Sequence, residues 1–250
     1  MSSHVLTMSG RSLRLARRNI DTVITALALP VIIMLLFVYL FGGASRTGSG
    51  AGYASFVVPG VLVLCASFSS SVTAVSVSAD MSGAMIDRLR SMDIGGPALL
   101  AGHVAASLVR NAASTTLVIG VALMIGFHPA ASPVDWALAL AMLFAFVLAI
   151  SWVAAALGLV ARSPEAAQGL TFVLIFLPYA SSGFVPISTM PSWLQTFSAH
   201  QPVTPVIDTI RGLMLGTPVG CSPWVALGWC AGIVVVSGCA SSALFRRRTA

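Results

Sequence analysis

Three groups of side chains in this 250-residue chain have types and spacings that invite chemistry: serines beside glycine, four histidines, and a knot of charges between two apolar runs. Ser181-Ser182-Gly183 with His200 would suit acyl transfer, in which a histidine takes the proton of a serine hydroxyl. No GxSxG surrounds those serines, and small hydroxyl residues in an apolar run more often serve close helix packing. His4, His103, His128 and His200 are scattered, and none stands at ligand spacing from Cys, Asp or Glu. The stretch Gly48-Ser49-Gly50-Ala51-Gly52 is glycine-rich, but the chain has no Lys, and a P-loop needs Lys to reach the β and γ phosphates. The chain is therefore expected to be no ATPase on its own, with no catalytic residue, metal or cofactor. Cys65, Cys221, Cys230 and Cys239 form no CxxC and read as small apolar residues.

What remains is the segment from Asp80 to Asp93, with Asp87, Arg88 and Arg90 between them. Met81, Met85, Leu89 and Met92 recur at spacings of four, four and three, which makes one apolar stripe. Asp87–Arg90 and Arg90–Asp93 stand at pairing distance on a helix. A solvated connector would need no such stripe. The pattern predicts a short surface helix that meets a partner.

The surroundings of that helix are set by composition. The chain is 57% hydrophobic and 8% charged, against about 25% charged in soluble domains. It cannot cover a soluble surface and is expected to be an integral membrane protein, one bundle from residue 1 to 250. Six apolar runs reach the roughly 20 residues that a spanning helix needs. They are Thr22–Phe41, Ala54–Ala79, Ala98–Phe127, Trp136–Ala161, Gln168–Pro186 and Trp224–Phe245. The first exceeds an ordinary signal-peptide core and is expected to stay uncleaved.

The formal charge of +6 comes from arginines at the ends of apolar runs, so a nucleic-acid surface is not expected. With both termini inside, Arg11, Arg14, Arg17, Arg18, Arg88, Arg90, Arg162, Arg246, Arg247 and Arg248 fall on the cytoplasmic side. Arg46 and Arg211 fall outside. That asymmetry follows the positive-inside rule and suits an even number of spans. Arg110, early in the third run, reads as snorkelling to the inner interface or pairing with a carboxylate there. A lone Arg is a poor proton relay, so an ion-coupled carrier is not expected.

Residues 5–20 read as an amphipathic helix on the inner surface, arginines on one arc and Leu6, Met8, Leu13, Leu15 and Ile20 on the other. The last loop, 187–223, is cut by Pro191, Pro202, Pro205, Pro218 and Pro223, just after Pro186. It reads as short helices that cap the outer face, with its irregular backbone covered by protein. Ala154 and Gly158 form a small-xxx-small pair, as do Gly228 and Gly232.

The order of these parts resembles the permease subunit of ABC type-2 exporters, in particular the daunorubicin-resistance-like drug exporters of actinobacteria. The likeness runs from about Arg11 to Phe245. Tyr39-Leu40-Phe41-Gly42-Gly43 with Tyr53–Gly60 carries the first part, and Met85–Met92 the second. Phe184-Val185-Pro186, Met190–Gln195, His200–Pro205 and Ile210–Gly216 carry the third and most specific. The chain departs from the family pattern at Asp93 (usually Pro), His103 (usually Arg) and Ser107 (usually Asp).

The resemblance implies an all-α membrane fold. It has six transmembrane helices, an N-terminal interfacial helix (1–21), a coupling helix between spans 2 and 3, an outer re-entrant loop between spans 5 and 6, and a cytoplasmic tail (246–250). It implies a plasma-membrane permease dimer with two copies of a separate ATPase subunit, which holds ATP and Mg. Met85, Ile86, Asp87, Arg88, Leu89, Arg90 and Met92 would couple the two proteins. Phe37, Phe68, Phe172, Phe176 and Tyr179 are candidates by position for a path taken by a hydrophobic small molecule. Pro186, Pro191, Trp193, Pro202, Pro205 and Arg211 would shape the outer loop. Export of lipid-linked glycans or polymers, and a membrane scaffold without transport, stay open beside drug efflux.

Overall fold

The computed structural model describes residues 20–41, 52–82 and 96–249, and all described elements are helical. In chain order they are α1 (Ile20–Phe41), α2 (Tyr53–Ser82), α3 (Gly96–Ile125), α4 (Pro133–Val160), α5 (Pro164–Phe176), a 3-10 turn (Ile187–Thr189), α6 (Ser192–His200), α7 (Val203–Leu215) and α8 (Ser222–Thr249). Residues 5–19 of the N-terminal amphipathic segment, residues 48–51 of the glycine-rich stretch and the coupling residues Met85, Ile86, Asp87, Arg88, Leu89, Arg90 and Met92 lie outside the described residues.

Local chemistry sets the boundaries. Ser132 caps α4, accepting from the Asp135 amide while its own amide donates to the Asp135 carboxylate at 3.0 Å. Ser163 caps α5 in the same way through the Ala166 amide. Both helices carry Pro in their first turn, where no amide partner is needed. Gly216 closes α7 in the left-handed region at φ 66°, a conformation that costs other residues more.

Four helices are long and apolar enough to cross a bilayer: Tyr53–Met81, Leu99–Ile125, Pro133–Val160 and Ser222–Arg246. They match the second, third, fourth and sixth apolar runs within a few residues. The fifth run, Gln168–Pro186, is not one continuous helix. It begins earlier, at the Ser163 cap, and α5 ends at Phe176 before a series of turns through 184. Pro178 has no amide to donate, and its ring collides with the carbonyl four residues back. The 13 residues of α5 give about 20 Å, against about 30 Å of hydrocarbon.

The bundle is built on α2 and α4. Buried along most of its length, α2 packs against α1, α3, α4, α5 and α7, and α4 packs against α8. Most of α3 and α8 faces outward. At the α2–α4 crossing a Cβ added to Gly158 would lie 2.5 Å from the Ala74 carbonyl oxygen, and Ala154 is fully buried. That small-residue pair marks a close contact. Gly228 and Gly232 do not, for a Cβ at either meets nothing within 4 Å.

The two ends differ. One gathers the start of α2, the turns after α5, the loop after α3, and α7. There Tyr53, Phe127, Phe184 and Met214 share the main core, and the Ala130 amide donates to Met214. At the other end Met81, Leu100 and Leu159 pack with Leu244 and Phe245. The three prolines Pro186, Pro191 and Pro202 stand immediately before the 3-10 turn, α6 and α7, and Pro205 lies buried in the first turn of α7. Proline has thus cut the last loop into short helices.

Candidate functional site

The turns between Phe176 and Pro186 place non-helical backbone inside the bundle. In a bilayer such backbone survives only where protein satisfies its polar groups. The carbonyls here are capped by side chains from four places. Tyr53 Oη donates to the Phe184 carbonyl at 3.0 Å. Ser198 Oγ, at 2.7 Å, and Gln201 Nε2 donate to that of Ala180. Arg211 donates to that of Ser182, and Ser181 Oγ to that of Pro178. Gly60 lets the turn approach α2 closely, since a Cβ there would sit 2.7 Å from the Gly183 oxygen.

Arg211 holds α7 to the start of α2 and to the turns after α5. Its Nη1 lies 2.9 Å from Asp208 Oδ1, and its Nε donates to the Phe56 carbonyl at 3.3 Å. The guanidinium stacks 4.0 Å over the Phe56 ring. Ser182 Oγ donates to the same Asp208 carboxylate at 2.6 Å. Ser181 and Ser182 are thus committed to structure, while His200 Nδ1 sits 2.8 Å from the Thr196 carbonyl. No serine–histidine pair forms here, and no group of three metal-binding side chains occurs among the described residues.

The candidate aromatics meet through a residue that position alone did not single out. Ring centroids run Phe172–Phe176 at 6.3 Å, Phe176–Tyr179 at 6.3 Å, Tyr179–Phe184 at 5.2 Å and Phe184–Phe37 at 4.6 Å. Phe184 is buried, whereas Phe172 and Phe176 are 51% and 61% exposed. A continuous aromatic track therefore leads from the outer surface of α5 into the core at α1. Phe68 stands apart from it, half-buried against the main core. Trp193 is exposed on α6.

At the opposite end, Asp80 Oδ2 lies 3.0 Å from His103 Nε2. The pair joins α2 to α3 at the base of the connection that carries residues 83–95. Ser151 Oγ donates to Ser107 at 2.8 Å and ties α4 to α3. His103 and Ser107, two of the three departures from the family pattern, thus both have partners, and Asp93 lies outside the described residues. Arg110 meets no carboxylate among the described residues. It is at the middle of the 30-residue α3, where its Nη2 donates to Thr73 Oγ1 at 2.8 Å. A charge at the middle of a spanning helix costs about 3 kcal/mol on insertion scales. The expected position was nearer the interface because the helix was placed by apolar length alone, and α3 begins at Gly96.

The described residues thus form a bundle of helices, four of them long and apolar enough to cross a bilayer, with the non-helical backbone after α5 capped by side chains. A family model described as "ABC-2 type transporter" matches residues 3–215, and the chain belongs to that family. It is 31% identical over 223 residues to a protein of Streptomyces coeruleorubidus named as a daunorubicin resistance ABC transporter permease protein, DrrB1. That match covers 89% of this chain and 78% of the relative. It is 25% identical over 246 residues to a probable doxorubicin resistance ABC transporter permease protein, DrrC, of Mycobacterium tuberculosis, covering 98% and 89% of the two chains. The chain is accordingly a permease, the non-catalytic membrane subunit that works with a separate ATPase.

Proposed function

We propose that this permease exports hydrophobic small molecules, antibiotics of the anthracycline kind among them, across the cell membrane. The observation that carries the reading is the match to drug-resistance permeases over nine-tenths of the chain. Two copies of the chain pair, and each docks one copy of the ATPase subunit, which holds ATP and Mg. Both termini face the cytoplasm. Six segments cross the bilayer, α1 and α5 with its turns completing the set begun by the four long helices.

Residues Met85, Ile86, Asp87, Arg88, Leu89, Arg90 and Met92 form the coupling helix. Their Met/Leu stripe enters a groove on the ATPase, and the charges set register. Closure of the ATPase pair then pushes on α2 and α3 together, since Asp80 and His103 join those helices where the segment leaves and returns. Leu89→Glu places a charge in the apolar contact and is expected to abolish copurification of the ATPase subunit while the permease still accumulates in the membrane. Retention of the ATPase by that variant would remove the segment from the coupling role.

The aromatic track from Phe172 to Phe37 is the path for an apolar, planar or cationic amphiphile. Its rings offer faces for stacking and cation–π contact. Replacing Phe172 and Phe176 by Ala is expected to raise, about thirtyfold, the anthracycline concentration that half-stimulates ATP hydrolysis by the complex, since two exposed ring contacts are each worth about 1 kcal/mol. An unchanged concentration would place the path elsewhere.

A further inference from the structure

Arg110 is a half-buried cation that the transport reading does not use. One of its nitrogens donates to Thr73, and its Nε is buried without an acceptor. No carboxylate among the described residues lies within ion-pair distance of it. Thr73 spends its own proton on the Ser69 carbonyl at 3.3 Å, which fixes it as the acceptor for Arg110. One helical turn away on the same face of α2, Ser69 Oγ is also buried without a partner. A guanidinium N–H and a hydroxyl thus stand on facing helices with donors to spare.

The charge of the guanidinium selects what can satisfy it. A desolvated cation in a bilayer is stabilised by an anion, and a planar fork suits an acceptor that presents two oxygens. Depth restricts the source. Arg110 points back toward the start of α3, and Thr73 is about 14 Å along α2 from Ser82. α2 is about 45 Å long and the hydrocarbon about 30 Å. With the helix centred, Thr73 is about 6 Å and Ser69 about 12 Å beneath the headgroups of that leaflet, so a headgroup that meets both must sink one turn below Thr73. Val109 and Leu117, flanking Arg110 on α3, are exposed, so an acyl chain can lie along that face.

We propose that Arg110 and Ser69, with Thr73 as the positioning residue, bind the oxyanion head of a membrane amphiphile. The shared chemistry is a phosphodiester or a carboxylate on an acyl chain. The test uses the delipidated chain in a neutral detergent, titrated with phosphatidylglycerol, laurate or phosphatidylcholine. Thermal unfolding and native mass spectrometry provide the readouts. Phosphatidylglycerol, laurate or both should raise the unfolding midpoint and leave one molecule bound per chain, and phosphatidylcholine should do neither. Binding of the phospholipid alone assigns the phosphodiester, and of laurate alone the carboxylate.

Arg110→Gln should weaken that binding by about tenfold or more, the value of one charged hydrogen bond. Ser69→Ala should weaken it by about threefold, as for a neutral one. Arg162→Gln, at an exposed arginine, should leave it unchanged. Should Arg110→Gln fail to fold, Arg110→Lys and Ser69→Ala decide. Equal binding by wild type and these variants, or no preference for anionic over zwitterionic amphiphile, would overturn the assignment.

Discussion

Gly158→Val is expected to collapse the bundle. A Cβ there would stand 2.5 Å from the Ala74 carbonyl oxygen and 3.0 Å from Val77 Cβ. The first of these is backbone and cannot rotate away. Relief requires α2 and α4, the two central helices, to separate along the crossing where Ala154 and Ala155 are fully buried. Overpacking alone costs up to about 3 kcal/mol, and separation of the helices adds lost contacts along their length. A loss of more than about 3 kcal/mol is a large part of an ordinary stability of 5–15 kcal/mol. Denaturant unfolding of the purified protein measures it. Gly158→Ala should fall in the same direction by less. Gly228→Ala and Gly232→Ala, where a Cβ meets only open space, should be neutral or slightly stabilising. A Gly158→Val protein as stable as wild type would mean that α2 and α4 do not cross there.

Arg211→Leu is expected to release α7 and the turns after α5 while the long helices persist. It removes two hydrogen bonds to the Phe56 and Ser182 carbonyls, the stacking on Phe56 and the ion pair with Asp208. Breaking a buried pair costs about 3–5 kcal/mol because a charge is left behind. The Asp208 side chain is 39% exposed, so water offsets part of that loss. A net cost of about 2–4 kcal/mol follows, concentrated at one end. Hydrogen exchange should accelerate in α7 and in the turns after α5, with α4 unchanged. Arg211→Lys keeps the charge without the planar fork and should lie between. Unaltered exchange in α7 would show that Arg211 does not fasten it.

Apolar length was enough to find the four long helices, because a hydrocarbon solvent demands unbroken backbone pairing and so writes its thickness into the chain. The same criterion overran at Gln168–Pro186. Hydropathy counts side chains, whereas the helix stops for want of the Pro178 amide. The groups that make such a stop tolerable are distant in sequence: Tyr53 reaches Phe184 across 131 positions and Arg211 reaches Phe56 across 155. No local spacing carries that information. Phe37, Phe172, Phe176 and Tyr179 were legible one at a time as aromatics near helix ends. Their connection depends on Phe184, which the turns alone bring into register. Phe68 has the same local appearance and faces the core. The tie between Asp80 and His103 was unreadable for the same reason, since two residues 23 apart meet only once α2 and α3 fold back on each other.

On the function proposed above, nucleotide energy reaches this permease through a partner, and doxorubicin movement across sealed proteoliposomes holding the permease with or without its ATPase subunit decides the point. ATP added on the ATPase side should drive accumulation against the gradient only when both proteins are present, and a hydrolysis-deficient ATPase should stop it. ATP-dependent accumulation by the permease alone would mean that the chain draws on nucleotide without a partner.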